Sequence, residues 1–222
     1  HRQEKENPQS NEEAMASLRI NVTSKDPNKV GRIFTAKVVE LGLANYPGFF
    51  GKTIPGSGAP FILYWPALIQ SKYVKETLHM GEKTMPITPT NQLGLDKVSY
   101  QIEQPTIPEM VSKDYKQIHF GRIYGTRSGD KGGCANLGVW AKTDRAFEFL
   151  YHFLTVDQLK QLLPDMAQFP IDRYELANIK SLNFYIHGIL QDGVSSSTRM
   201  DAQAKSLGEY LRAKLIDAPV EI

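Results

Sequence analysis

Leu182, Phe184 and Ile186 alternate with Asn183, Tyr185 and His187. A period of two with one apolar and one polar side marks a strand that has one buried and one solvated face. A chain carrying such a strand has to build a sheet covered on one side. The neighbouring sequence supplies further strands and the cover. Ile118, Phe120 and Tyr124 alternate with His119 and Gly121, which predicts a strand ending in a turn from Arg127 to Gly133, and Cys134 to Trp140 returns as a second strand. Two helices are predicted next. Asp144 caps the first, with Phe147, Leu150 and Tyr151 inward; Thr155 and Gln158 form a capping box for the second, with Leu159, Leu162 and Leu163 inward. Ile171 to Leu176 and Leu182 to Ile189 are the third and fourth strands. Met200, Leu207, Leu211 and Leu215 form a stripe behind Ser197 and Thr198, with Asp201 at capping-box distance, predicting a last helix. Strand, strand, helix, helix, strand, strand, helix is an α+β order, so residues 115–222 are expected to be a small two-layer sandwich.

The first half is less regular. Residues 1–15 are polar and open on His1 rather than Met, as a polar tail or a loop cut from something longer. Ser17 to Thr23 alternates around Leu18, Ile20 and Val22 and predicts a half-buried strand. Asp26 and Pro27 are a cap and a first-turn proline, followed by Val30, Ile33, Phe34, Val38 and Leu41 at helical spacing, so a helix is expected to run to about Asn45. Phe61 to Trp65 and Tyr73 to Met80 are expected to be extended. This β-α-β-β set over residues 16–80 is thin for an independent core and fits the closing part of a larger α/β domain. Residues 81–114, with Pro86, Pro89, Pro105 and Pro108, are expected to be a linker.

Composition excludes several classes. Of the 222 residues, 26 are Lys or Arg and 24 Asp or Glu, a net charge of +2 without a basic block, which argues against nucleic acid as a partner. One cysteine makes no internal disulfide or cysteine zinc site. The five histidines never fall in HxH or HExxH spacing, so no metal is expected. No glycine-rich fingerprint follows a strand, so no cofactor is expected either. The most apolar run, Phe61 to Ile69, is interrupted by Pro66 and is about half a membrane span, so no membrane partner is expected.

Two segments could carry chemistry. The first is Thr126-Arg-Ser-Gly-Asp-Lys-Gly-Gly-Cys-Ala-Asn136. Its glycines could turn backbone amides into one concavity, and Arg127 and Lys131 add charge suited to a carboxylate or phosphate. Equally, it reads as a hairpin turn with Asp130 and Lys131 in solvent. The second runs from His187 through Gly193 to Ser195-Ser-Ser-Thr-Arg199. It can be an anion site or a simple helix cap. If the first and fourth strands are parallel neighbours, the two loops meet.

Several stretches resemble the acyclic terpene utilisation (AtuA-type) family. Those matching its small ferredoxin-like C-terminal domain are Arg127-Ser-Gly-Asp-Lys-Gly, Ala135-Asn-Leu-Gly-Val139, Arg173-Tyr-Glu-Leu, Leu182-Asn-Phe184, His187-Gly188 and Ser197-Thr-Arg-Met-Asp-Ala-Gln-Ala-Lys205. Asp26-Pro-Asn-Lys-Val30, Tyr46-Pro-Gly48 and Tyr64-Trp-Pro-Ala67 look like the end of its large N-terminal domain. The family pattern usually has Thr at Cys134 and Gly at Ala204.

The resemblance implies a cytoplasmic, oligomeric protein of terpenoid or branched acyl-CoA catabolism, whose missing N-terminal domain or companion chain completes it. The resemblance identifies the pathway class rather than the reaction; the leading expectation is an enzyme, a lyase or hydratase, acting on a small-molecule carboxylate or CoA thioester. His187 and Asp130 would carry protons, and Arg127, Ser128, Gly129, Lys131, Asn136, Ser197 and Arg199 would bind the anion. The alternative is a non-catalytic assembly module or accessory subunit, for example of an acyl-CoA carboxylase system.

Overall fold

A computed structural model describes residues 7–42, 44, 46–53, 56–63, 65–87 and 105–222. The chain divides into two compact units, His1–Phe61 and Ile62–Ile222. In the first, Asp26 accepts a hydrogen bond from the Asn28 amide (3.0 Å) and Pro27 begins helix α1 (Pro27–Val30). Gly31 breaks the helical path, with φ −91° and ψ −132°, before α2 (Arg32–Gly42). The strand expected at Ser17 to Thr23 does not form: its alternating pattern has no partner strand to pair with among the described residues, and Leu18 is 86% exposed.

In the second unit, β1 (Glu76–Met80) and β2 (Lys83–Ile87) form an antiparallel hairpin, with both strands exposed along their length. The run expected to be extended from Tyr73 therefore starts with a 3₁₀ turn (Ser71–Tyr73), and β2 lies in the stretch expected to be a linker. Phe61 to Trp65 forms no strand among its described residues. Pro89 falls outside the described residues.

The remainder is a two-layer α+β sandwich. Strand β3 (Tyr115–His119) pairs antiparallel with β8 (Leu215–Pro219). After a 3₁₀ turn (Phe120–Arg122), β4 (Gly125–Lys131) and β5 (Cys134–Trp140) form a hairpin. Then come α3 (Asp144–Phe153), α4 (Val156–Leu162), β6 (Ile171–Leu176), β7 (Ser181–Ile186) and α5 (Leu207–Arg212). The main sheet is wholly antiparallel, in the order β4-β5-β7-β6. Its inner face contributes Ala135, Leu137, Val139, Leu182, Phe184 and Ile186 to the core. These pack with Phe147 and Leu150 of α3, Leu159 of α4 and Leu211 of α5, all buried. Threonines cap the first two of these helices: Thr143, not Asp144, accepts from the Ala146 amide, and Thr155 accepts from that of Gln158.

Three expectations are corrected. Thr126 to Lys131 is strand rather than turn, so its backbone is extended and paired with β5, and its amides do not converge in a concave nest. The turn is only Gly132 and Gly133. Gly132 takes φ +63°, the left-handed region that a two-residue hairpin requires and glycine adopts without strain. Second, the predicted last helix is short. The Asp201 carboxylate accepts from the amides of Lys205 (2.9 Å) and Ser206 (2.8 Å) and from the Ser206 hydroxyl (2.7 Å), so 201–206 forms a local turn and α5 begins at Leu207. Leu215, expected in that helix, opens β8, where pairing with β3 prevails over helical spacing. Third, β4 and β7 are not neighbours, because β5 lies between them. Both run antiparallel to β5, however, so their following loops leave the same end of the sheet and do meet: the Leu190 amide donates to the Gly133 carbonyl (2.9 Å).

Candidate functional site

Antiparallel register puts directly opposed residues on one face of a sheet. The outer face therefore consists of cross-strand rows. One runs Gly125, Trp140, Ser181, Leu176; the next Arg127, Gly138, Asn183, Tyr174; the third Gly129, Asn136, Tyr185, Asp172. Lys131 and Cys134 close the sheet end beside His187.

Within this face the polar groups are linked. The imidazole Nε2 of His187 lies 2.8 Å from Oδ2 of Asp172, both side chains about half exposed. The Tyr185 ring meets the imidazole edge-on, centroids 4.9 Å apart. A hydrogen bond with the Cys134 thiol holds the Tyr185 hydroxyl above its ordinary pKa, and the Gly188 amide also donates to that sulfur (3.4 Å). Further along, the Asn136 amide group donates to Oδ1 of Asn183 (3.3 Å). Gly129 and Gly138 carry no side chains, so Arg127, Asn136 and Asn183 border a shallow polar floor.

The other predicted residues stand elsewhere. Ser128 faces inward and is 7% exposed; its hydroxyl donates to the Lys205 carbonyl (3.2 Å) and accepts from the Gly208 amide (3.0 Å), tying β4 to α5. That contact is close: a Cβ at Gly208 would lie 2.6 Å from Oγ1 of Thr126. Asp130 also faces the inner side, opposite Ala135. Ser197 accepts from the Arg199 amide (3.4 Å), and the Arg199 guanidinium bonds Asp165 (3.1 Å) in the turn after α4. The sheet face thus unites Arg127, Gly129, Lys131, Asn136 and His187, and separates them from Ser128, Asp130, Ser197 and Arg199. Asp172, the carboxylate beside His187, was missed by sequence reasoning. Its signal was present: counting in twos along Ile171 to Leu176 sets Asp172 and Tyr174 on the polar side. Among the described residues, no cluster of His, Cys, Asp or Glu could hold a metal ion.

Two family models match the chain. The acyclic terpene utilisation family protein AtuA matches residues 1–80, and the AtuA ferredoxin-like domain matches residues 118–217. The chain belongs to the acyclic terpene utilisation family. The ferredoxin-like match spans the sandwich from β3 to β8, in agreement with its α+β architecture. No curated protein and no solved structure matches the chain. Among the described residues no helix is long and apolar enough to cross a membrane.

The stretch Arg173-Tyr-Glu-Leu has a structural use. Arg173 donates to Glu175 (2.5 Å) and to the Tyr151 carbonyl (2.6 Å), and Glu175 accepts from the Tyr151 hydroxyl (2.6 Å), which clamps α3 to β6. That bond to the carboxylate raises the Tyr151 pKa. Arg127, Asn136 and His187 lie on the solvated face, where they bear no core load. There the His187–Asp172 pair can take up or release a proton, and the Arg127 guanidinium can grip a planar anion.

Proposed function

We propose that the outer sheet face is one wall of an active site completed by the family's large N-terminal domain, in the same polypeptide or a companion chain. The complete protein is then a lyase or hydratase acting on a carboxylated or CoA-linked branched substrate. One observation carries this reading: the His187–Asp172 pair shares the exposed face with Arg127 and Asn136. Asp172 accepts from Nε2–H and leaves Nδ1 as the proton acceptor. In a hydration, Nδ1 takes a proton from water as its oxygen bonds the β-carbon of an enoyl thioester, and the same nitrogen then gives that proton to the α-carbon, which returns the imidazole to its starting state. Asn136 holds the substrate carbonyl oxygen, and Arg127 holds an anionic group of the substrate, its carboxylate or a CoA phosphate. The reverse is a dehydration.

The test follows enoyl absorbance with a branched enoyl-CoA and the chain joined to, or mixed with, the N-terminal portion. General acid–base catalysis is worth about 10²–10⁴-fold, so His187→Gln should lower kcat by that factor with little change in KM. Unchanged kcat would overturn the acid–base reading.

A second reading, an assembly module or accessory subunit, is favoured by Trp140, Tyr174 and Leu176, which are 40%, 52% and 41% exposed on the same face. If it holds, Tyr174→Asp and Leu176→Asp, which put a charge on the apolar patch, lose a partner in sedimentation while Arg127→Gln keeps it.

A further inference from the structure

At the outer edge of β4 a cleft of about 300 Å³ opens, and Arg127, Trp140, Lys205 and Glu209 are among its lining residues. The Trp140 indole lies across Gly125, where any Cβ would collide with the ring, so the strand leaves room for the indole to lie over it. Lys205 is held at its backbone, with its amide on the Asp201 carboxylate and its carbonyl on the Ser128 hydroxyl. Its ammonium comes over the sheet: Nζ is 3.4 Å, and Oδ1 of Asn136 4.0 Å, from where a Cβ on Gly129 would be. Among the described residues neither the Arg127 guanidinium nor the Lys205 ammonium has an acidic partner. Glu209, the carboxylate lining the cleft, bonds Arg212 instead (3.3 Å).

Two cations without counter-charge beside an exposed aromatic plane suit a ligand with a phosphate next to a flat ring. We propose that this cleft binds a nucleoside phosphate, with the phosphate between Arg127 and Lys205 and the base against Trp140. The inference deepens the reading above and rests on it for the source of the nucleotide, the phosphorylated ADP portion of a CoA thioester. Glycine at 125 keeps the indole down on the strand and its outer face open. The turn held by Asp201 delivers the ammonium from outside the sheet, so the cleft needs both the hairpin and the segment before α5.

The chain has two tryptophans, so Trp65→Phe leaves Trp140 as the sole indole reporter. In that background, indole fluorescence is titrated with CoA, with ADP and with acetyl-pantetheine, which lacks the nucleotide. CoA and ADP should quench the indole and acetyl-pantetheine should not. Loss of one charge-assisted phosphate contact, about 1.5–3 kcal/mol, should weaken CoA binding roughly tenfold or more in Lys205→Gln, and likewise in Arg127→Gln. Urea midpoints equal to that of the parent exclude misfolding. Far tighter binding of CoA than ADP identifies the thioester carrier as the source; equal binding identifies a free nucleotide. CoA binding that neither quenches Trp140 nor responds to Lys205→Gln would overturn the cleft while leaving the CoA-linked reading intact, as would equal affinity for acetyl-pantetheine. No binding of CoA or ADP would overturn the cleft, and the His187→Gln kinetics would then judge the acid–base reading separately.

Discussion

Replacing Ser128 by Ala separates a strut from a ligand-binding hydroxyl. In the folded chain this hydroxyl donates to the Lys205 carbonyl and accepts from the Gly208 amide, at 3.2 and 3.0 Å, with little access to water. Alanine removes both bonds and leaves a buried amide without an acceptor. A net hydrogen bond contributes about 1 kcal/mol and an orphaned buried donor costs about 1–3 kcal/mol, so the loss should be about 2–4 kcal/mol. For a unit of this size each kcal/mol lowers Tm by about 3–4 °C, which makes the shift about 10 °C. Urea unfolding measures it directly, and the m-value should stay constant because the same surface is exposed. Hydrogen exchange at the Gly208 amide should accelerate more than exchange in β7. A loss under about 1 kcal/mol combined with collapse of ligand affinity would refute this account and restore Ser128 to the binding surface.

Two further outcomes test the packing. Burial raises the Tyr124 hydroxyl pKa well above 10, and that hydroxyl donates to the Ala146 carbonyl at 3.0 Å. Because the folded value lies above the unfolded one, its contribution is complete below about pH 10 and lost as pH rises further. Tyr124→Phe should cost about 1 kcal/mol at pH 7 and flatten alkaline unfolding, read as urea midpoints from pH 8 to 11.5. Gly208→Ala should destabilise by about 1–3 kcal/mol through the 2.6 Å approach to Thr126, and Thr126→Ala in the same chain should recover part of it, measured by thermal melting.

How legible the fold was depended on which forces set each element. β7 could be read in full, since every second residue from Leu182 to Ile186 enters the core. β4 could not, because its inner face is Thr126, Ser128 and Asp130, small or polar residues without an apolar period, of which Thr126 and Ser128 meet α5 at Gly208. The stripe through Leu207 and Leu211 marked a real helix, but its start depended on one carboxylate capturing three donors, and its supposed continuation at Leu215 pairs with a strand about a hundred residues earlier in the chain. Alternation alone was misleading at Leu18 to Val22, where no partner strand is available to complete a sheet. For the candidate site, Arg127, Asn136 and His187 were recognisable as residue types. Their grouping depended on register, which brought in Asp172 and Trp140 and set Asp130 on the opposite face, and on the Asp201 turn, which brought in Lys205.

The pairing of β3 with β8 sets Tyr115 opposite Pro219, and the Val220 amide reaches back to the Asp114 carbonyl. The ferredoxin-like domain therefore opens and closes at one spot, like a bead on a looped thread. A peptide of a few residues could join those points and new termini could be cut at Gly132 without undoing the sheet. Such a module can be appended, detached or supplied on a second chain without rerouting the polypeptide that carries it.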